Sequence, residues 1–558
     1  MSSKNAPKAA KKRQGRKRQP PLEPGPALQF VVASHPDHFK EENTMRHIRS
    51  HVMYRHRGDQ REGSPSERSK SRDSRHGSAA LTRTPSPLAI SPGGALYGNY
   101  QMPSALRRRS SAWDGVVYQY TSQSPSIDPV RNLAARIIAA TTAEPARSTP
   151  STVEEEHEYP FPSTSTTPVI ESLDDLRELY LKSSNLFGAE DVAACTLMRM
   201  LCSNRMSFLS QISVVCVLQD VADGCLDDSP LTIYAKTKLM NMLTKPNTRT
   251  DDFLIISIVH LLISEIGSHN EDVFDVHLQG LVRIVEQKGG MANLGVDYYF
   301  ATFLTVVLLS FAILRGLPEP AMLQNFMPHP LNRGHVSPPP TSPLYAPEGD
   351  ISGLYGSCSI ETFEIIRDMY ELTHTFLHRW SYPASEDPIA DSHLEQIYTR
   401  LLYRPSTEES VSPDWVYETC RIAALIYCRS IVQGMPLAQS ANVVYAQSSG
   451  TSTTTTIISA LHHAVEQTDR AGHWGDMCGV LLWVYLVGGA ASWPSFQPLY
   501  GELPDAQTPL PWTRKCFALY AVKESLSINF DHADAIVESQ RTMLQIQQSI
   551  DMRRGGSH

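Results

Sequence analysis

The chain has 558 residues, 41% of them hydrophobic, with 39 prolines and a formal net charge of −8, enough for one large domain or two smaller ones beside sequence too polar to build a core. Residues 1–110 carry 22 Lys and Arg against 8 Asp and Glu, and the remainder 28 against 50, a cationic arm that seeks polyanions ahead of a body that repels them. Nine scattered cysteines exclude a dense disulfide framework, and the start Met-Ser-Ser-Lys runs into basic residues without an apolar stretch, so neither a small secreted scaffold nor a signal peptide is expected.

Residues 1–165 read as a mostly disordered arm, rich in Ser, Pro, Arg and Thr, that buries too little apolar surface to offset the entropy of ordering. Lys11, Lys12, Arg13, Arg16, Lys17 and Arg18 form a cluster suited to the acidic surface of importin, and hence to nuclear localisation, with nonspecific DNA contact as the other use of the same charge. Gly15 to Pro20 is similar to an AT-hook without its intact core. A short basic helix is expected over 40–57, where Met45, Ile48 and Val52 share helical spacing, and a transient or docking helix over Ile127–Ala140. Ser64, Thr84, Ser86 and Ser91 precede prolines and Ser110 follows three arginines, so they read as phosphorylation sites, each phosphate removing about 1.5 to 2 units of positive charge.

Beyond about residue 170, amphipathic and wholly apolar segments of helical length recur without strand-like alternation, which predicts an all-α body over 170–553. Ser172 with Asp175 is spaced as a capping box, and Leu173, Leu176, Leu179 and Tyr180 trace one face. Further helices are predicted over Ala189–Cys202, Phe208–Val221, Pro230–Leu243, Asp251–Ile266, Glu271–Lys288, Tyr298–Leu314, Ile360–Arg379, Ala390–Leu402, Asp414–Val432, Thr455–Ala471, Asp476–Val487, Leu510–Asn529 and His532–Met552. The two most apolar stretches, from Tyr298 and from Met477, reach spanning length, but a helix apolar all round in a large domain is more often buried, so no membrane association is expected. A Pro-rich loop over 327–356 reads as a mobile excursion inside one domain, with a split near 340 as the alternative. The apolar spacing of Ile536, Val537, Met543, Leu544 and Ile550 covers two heptads, too few to claim a coiled coil, and leaves a homodimer open.

Three segments of this body carry a resemblance. His277-Leu278-Gln279-Gly280-Leu281, closing on Gly289-Gly290 and Leu294-Gly295, then Cys420-Arg421 to Tyr427, then Leu481-Leu482-Trp483 to Gly488-Gly489 are similar, in order, to segments of the fungal-specific transcription factor domain. Ile48 to Met53 resembles the N-terminal segment of a fungal subfamily that carries this domain without a zinc cluster. The resemblance implies a helical regulatory domain of a nuclear regulator, with His277, Gly280, Gly289, Gly290, Arg421, Trp483, Gly488 and Gly489 as its motif residues, acting with the transcription machinery or with DNA-bound regulators, and with a non-DNA-binding adaptor as the competing reading.

The DNA-reading zinc cluster usual in that family needs six thiolates opening on Cys-x-x-Cys, and the chain has no such pair and no cysteine before Cys195. His47 and His51 lack a thiolate or carboxylate partner, and His277 reads as a structural histidine, so no metal and no cofactor is expected. Phosphate-binding, nucleophile-elbow and metalloprotease motifs are missing, and Asp227-Asp228 and Asp251-Asp252 read as loop and helix-start acids, so the chain is not expected to be an enzyme.

Overall fold

The computed structural model describes residues 114–121, 128–142, 172–182, 192–245, 251–268, 271–295, 299–328, 339–381, 388–407, 411–447, 454–468, 474–493, 510–528 and 532–555. Among these, seventeen α-helices and one two-stranded hairpin make up the fold. The all-α expectation holds, and the described residues all fall within one compact unit. The expected helix over 40–57, the Lys/Arg cluster at 11–18 and the phosphorylation candidates at 64, 84, 86, 91 and 110 lie outside the described residues.

The helical body begins earlier than residue 170. Helix α1 (Asp114–Thr121) and helix α2 (Pro129–Thr142) precede it, and Leu133, Ile137 and Ile138 of α2 are buried in an apolar cluster with Leu176, Phe208, Leu231 and Leu239. Of the two readings of this segment, a transient or a docking helix, the docked one is observed, and the arm limit at 165 is corrected to a point before α1. Polar anchoring reinforces the docking: Arg131 donates to Asp220 at 2.6 Å and to Asp223, while buried Asp220 also accepts the Thr232 hydroxyl at 2.6 Å and the Ser229 amide at 2.8 Å. A fully paired buried carboxylate of this kind ties three helices together.

The helices then follow closely the pattern of the sequence. In α3 (Leu173–Lys182) the Ser172 hydroxyl accepts the Asp175 amide at 3.2 Å, and Leu176 and Tyr180 are buried while Leu179 is exposed. Helices α4 (Val192–Ser203) and α5 (Arg205–Ala222) bend by 118° at Asn204, whose side chain accepts the Met206 and Ser207 amides. Helix α6 (Pro230–Leu243) starts with Ser229 as its cap and proline in its first turn, the placement in which a missing N–H costs nothing. Helices α7 (Asp252–Glu265) and α8 (Glu271–Gln287) lead into α9 (Tyr299–Arg315), in which every residue from Tyr299 to Leu314 is buried.

Helices α10 (Ile360–Ser381), α11 (Pro388–Leu402), α12 (Trp415–Gln433) and α13 (Leu437–Ala441) form the next layer. Strands β1 (Val444–Gln447) and β2 (Thr454–Thr456) pair antiparallel with a bulge near Ala446. They replace the first residues of the helix predicted from Thr455: Thr456 caps α14 (Ile457–Glu466), its hydroxyl accepting the Ser459 amide. Helices α15 (Cys478–Ser492), α16 (Leu510–Ser527) and α17 (Ala533–Gly555) complete the body. The five apolar residues of α17 singled out for heptad spacing are all buried within the chain. Gln540 donates to the Val306 carbonyl at 3.0 Å and Gln547 to that of Ile313 at 3.0 Å, so α17 lies along α9.

One helix among the described residues, Gly475–Ser492, is long and apolar enough to cross a membrane, and 83% of it is buried inside the protein. The described part of the Pro-rich segment is packed rather than an excursion. Pro340, Thr341, Ser342, Pro343 and Leu344 are buried, Leu344 and Leu354 join the main core, and the Thr341 carbonyl lies so close to Gly479 that an added Cβ would meet it at 2.7 Å. Proline has little backbone freedom to lose, which suits it to an ordered wrap without regular hydrogen bonding.

Candidate regulatory site

The first motif segment clasps α8 to α7. The His277 Nδ1–H donates to Glu265 at 3.0 Å, joining the middle of α8 to the end of α7. At the opposite end, Asp252 at the start of α7 pairs with Lys288 and accepts the Gly295 amide at 3.0 Å, and Asp251 caps α7 by accepting the Leu254 amide at 3.0 Å. These two acids are helix-start residues, as their position predicted. The turn between is a Schellman stop: the Gly290 amide bonds the Val285 carbonyl at 3.0 Å and the Gly289 amide that of Glu286 at 2.9 Å. Gly289 has φ +91°, and Gly290 has φ +93° with ψ −175°, backbone open in practice to glycine alone. His277 thus bridges two helices through Glu265.

Gly280 differs from its neighbours in the motif. A Cβ built on it would meet nothing within 4 Å, so no packing within the described residues requires glycine there. Gly280→Ala is expected to raise the unfolding free energy by about 0.5–1 kcal/mol through helix propensity; a urea midpoint that falls instead would show a constraint on that face.

The second segment centres on Arg421 of α12. Its guanidinium is bidentate to Glu418, at 3.0 and 2.6 Å, and also donates to the Tyr445 hydroxyl. Glu418 further accepts the Tyr445 hydroxyl at 2.8 Å, the Ser406 hydroxyl at 2.9 Å and the Thr407 amide at 3.0 Å. Glu418 is 1% and Arg421 6% exposed. Burial pushes the Glu418 carboxyl up, but Arg421, the Thr407 amide and Tyr445 outweigh it and hold the group below its ordinary range. Burial and the adjoining carboxylate push the Tyr445 phenol up to about 12. The cluster ties the 404–407 loop and β1 onto α12. Arg421 is legible from the motif, and Glu418 from the i, i+3 spacing of opposite charges on one helix.

The third segment sits where α9, α12, α15 and α16 meet. Trp483 is fully buried, edge-on to Tyr427 at 5.7 Å between ring centres, and the Tyr427 hydroxyl shares a 2.7 Å hydrogen bond with Thr373. Gly488 and Gly489 let α15 approach its neighbours: a Cβ on Gly488 would stand 2.6 Å from the Phe517 ring, and one on Gly489 would strike Leu314. Gly488→Val is expected to destabilise by about 1–3 kcal/mol through overpacking, read as a lower urea midpoint; an unchanged midpoint would contradict the close crossing.

The structure therefore brings the second and third segments together through Tyr427 and Trp483, and joins the third to α9 through Gly489 and Leu314. His277, Gly289 and Gly290 act at the α7–α8 clasp. Among the described residues no group of three or more His, Cys, Asp or Glu side chains could hold a metal ion. Burial pushes the Cys202 and Cys216 thiols up to about 12, so these are packed thiols rather than nucleophiles.

A model of the fungal specific transcription factor domain matches residues 228–539, more than half of the chain and all three motif segments. The chain belongs to the fungal specific transcription factor domain family. No curated protein and no solved structure matches it. The family match starts at the loop before α6 and ends within α17, so α1–α5 pack against the family domain from outside its matched limits. Membership ties the chain to transcription regulation, and in general to the nucleus.

Proposed function

We propose that this protein is a nuclear transcription regulator and not an enzyme, whose helical body binds protein partners of the transcription machinery or a small molecule while its basic arm supplies nuclear import and any contact with DNA. The observation that carries the reading is the family match across 228–539. The arm's charge supports the rest: Lys11, Lys12, Arg13, Arg16, Lys17 and Arg18 suit importin, and the same cations neutralise phosphates with little sequence preference.

A second reading is favoured by one specific observation. The chain contains no Cys-x-x-Cys pair, so a zinc cluster does not supply sequence recognition from within it, and an adaptor recruited by DNA-bound regulators accounts for the same body. The two readings separate in one experiment, chromatin occupancy of the tagged full-length protein beside a deletion of residues 1–60 carrying a heterologous import signal. Loss of occupancy at discrete loci with the arm supports direct contact; unchanged occupancy makes the body an adaptor; no occupancy by the full-length protein in the nucleus would overturn both.

A further inference from the structure

Proline-directed kinases read a serine followed by proline in accessible, extended backbone, and proline itself biases the residue before it toward that conformation. Among the described residues this dipeptide occurs at Ser229-Pro230, Ser342-Pro343 and Ser412-Pro413. Sequence gives no ground to choose among them. Burial does.

Ser229 is the N-cap of α6, its hydroxyl within 3.1 Å of the Thr232 hydroxyl and accepting the Thr232 amide, and its own amide is held by Asp220. Phosphorylation there would require opening the α6 start and the Arg131–Asp220 anchor. Ser342 is 1% exposed, its backbone bridged to Tyr345 and its hydroxyl accepting the Leu344 amide. Ser412 lies in a different setting: Val411, Ser412, Pro413 and Asp414 are all exposed ahead of α12, which Asp414 caps.

We propose that Ser412 is a phosphorylation site for a proline-directed kinase within the folded body. In the reaction the Ser412 Oγ attacks the γ-phosphorus of ATP, the bond from that phosphorus to the bridging oxygen of the departing ADP breaks, and the hydroxyl proton passes to the kinase's base. The product suits the fold. Two residues before the N-cap of α12, a phosphate dianion faces the positive end of the helix dipole. It also changes the surface around it. Leu402, at 55% exposure, Tyr403 and Val411 stand exposed on the two segments that the Asp414 amide bond to Thr407 at 2.7 Å and the Tyr417 hydroxyl bond to the Pro405 carbonyl at 2.9 Å draw together. About two negative charges at the edge of these exposed apolar side chains change the character of that surface.

The test uses the full-length protein, a proline-directed kinase and Mg-ATP, with phosphate mapped by mass spectrometry, and peptides of the three segments treated in parallel. All three peptides are expected to be labelled. In the folded chain Ser412 is expected to carry at least about tenfold more phosphate than Ser229 or Ser342, whose labelling waits on local opening. Ser412→Ala removes the label of the peptide spanning 411–414 and leaves that of Ser64 and Ser86 in the arm. The proposal is overturned if Ser412 stays unmodified while Ser64 and Ser86 are labelled, or if Ser229 and Ser342 are labelled as fully as Ser412. It stands or falls independently of the transcription reading, which the occupancy experiment addresses.

Discussion

Replacing Glu418 with alanine is expected to lower the unfolding free energy by about 3–5 kcal/mol, because it leaves the Arg421 guanidinium buried and uncompensated. The carboxylate is 1% exposed and accepts from Arg421, Tyr445, Ser406 and Thr407, so its loss also strands the Thr407 amide that holds the 404–407 loop. Arg421→Ala is expected to cost a comparable amount for the mirror-image reason. The double change Glu418→Leu with Arg421→Met is expected to recover most of the loss, since removing both charges removes the desolvation penalty with them. Urea denaturation of the four proteins reads the cycle. If the single substitutions cost under about 1 kcal/mol, as a solvent-exposed pair would, the cluster does not hold the corner together.

The second large effect is an acid limb to stability. His260 is buried in α7, edge-on to Phe303 at 5.5 Å, and its Nδ1 lies 2.8 Å from the Ser210 hydroxyl. Because that hydroxyl donates to the Ser207 carbonyl at 2.8 Å, the imidazole Nδ1–H is the donor to Ser210. Burial lowers the His260 pKa to about 3, below the value near 6.5 of an unfolded chain. The unfolded state therefore binds the proton first, so this contribution is complete above about pH 6.5 and is lost as pH falls toward 3. Over that window the slope approaches about 1.4 kcal/mol per pH unit for one proton. His374, on the exposed side of α10, is shifted in the same direction by the protein around it and adds a smaller share. His260→Gln keeps a donor for Ser210 and is expected to flatten the fall in urea midpoint between pH 7 and 5; a slope equal to the parent's would show that another group titrates.

Much of this body is legible in the sequence where a helix carries its own signals. Ser229-Pro230 announces α6, whose observed span Pro230–Leu243 coincides with the predicted one, and Gly289-Gly290 marks the end of α8 because a Schellman stop needs positive φ. Helix α9 is legible as buried from its unbroken apolar run. What escapes is what depends on distant partners. Nothing near Arg131 announces Asp220, 89 residues away, so α2 looks like a stray helix of the arm until its cluster with α5 and α6 is seen. The buried wrap from Pro340 to Leu344 is read from its prolines as a loop because the surface that receives it, Gly479 at the start of α15, lies far along the chain. Strand β2 is likewise set by its pairing with β1 and not by its three threonines.

The candidate site shows the same division. His277, Arg421, Trp483 and the paired glycines were legible as motif residues, but their partners Glu265, Glu418, Tyr427 and Phe517 were not, and those partners give each its physical role. The motif residues hold helices in register: a clasp, a buried ion pair and a close crossing. A family of regulators can keep such a framework while its exposed corners change partner.

Whether this body regulates transcription is read by a reporter driven by the full-length chain fused to a heterologous DNA-binding domain, with its sites upstream of the promoter. Reporter output is expected to change, in either direction, relative to the DNA-binding domain alone, and to lose that change in the Glu418→Ala protein as the body loosens. Unchanged output, with the fusion folded and bound at its sites, would contradict it.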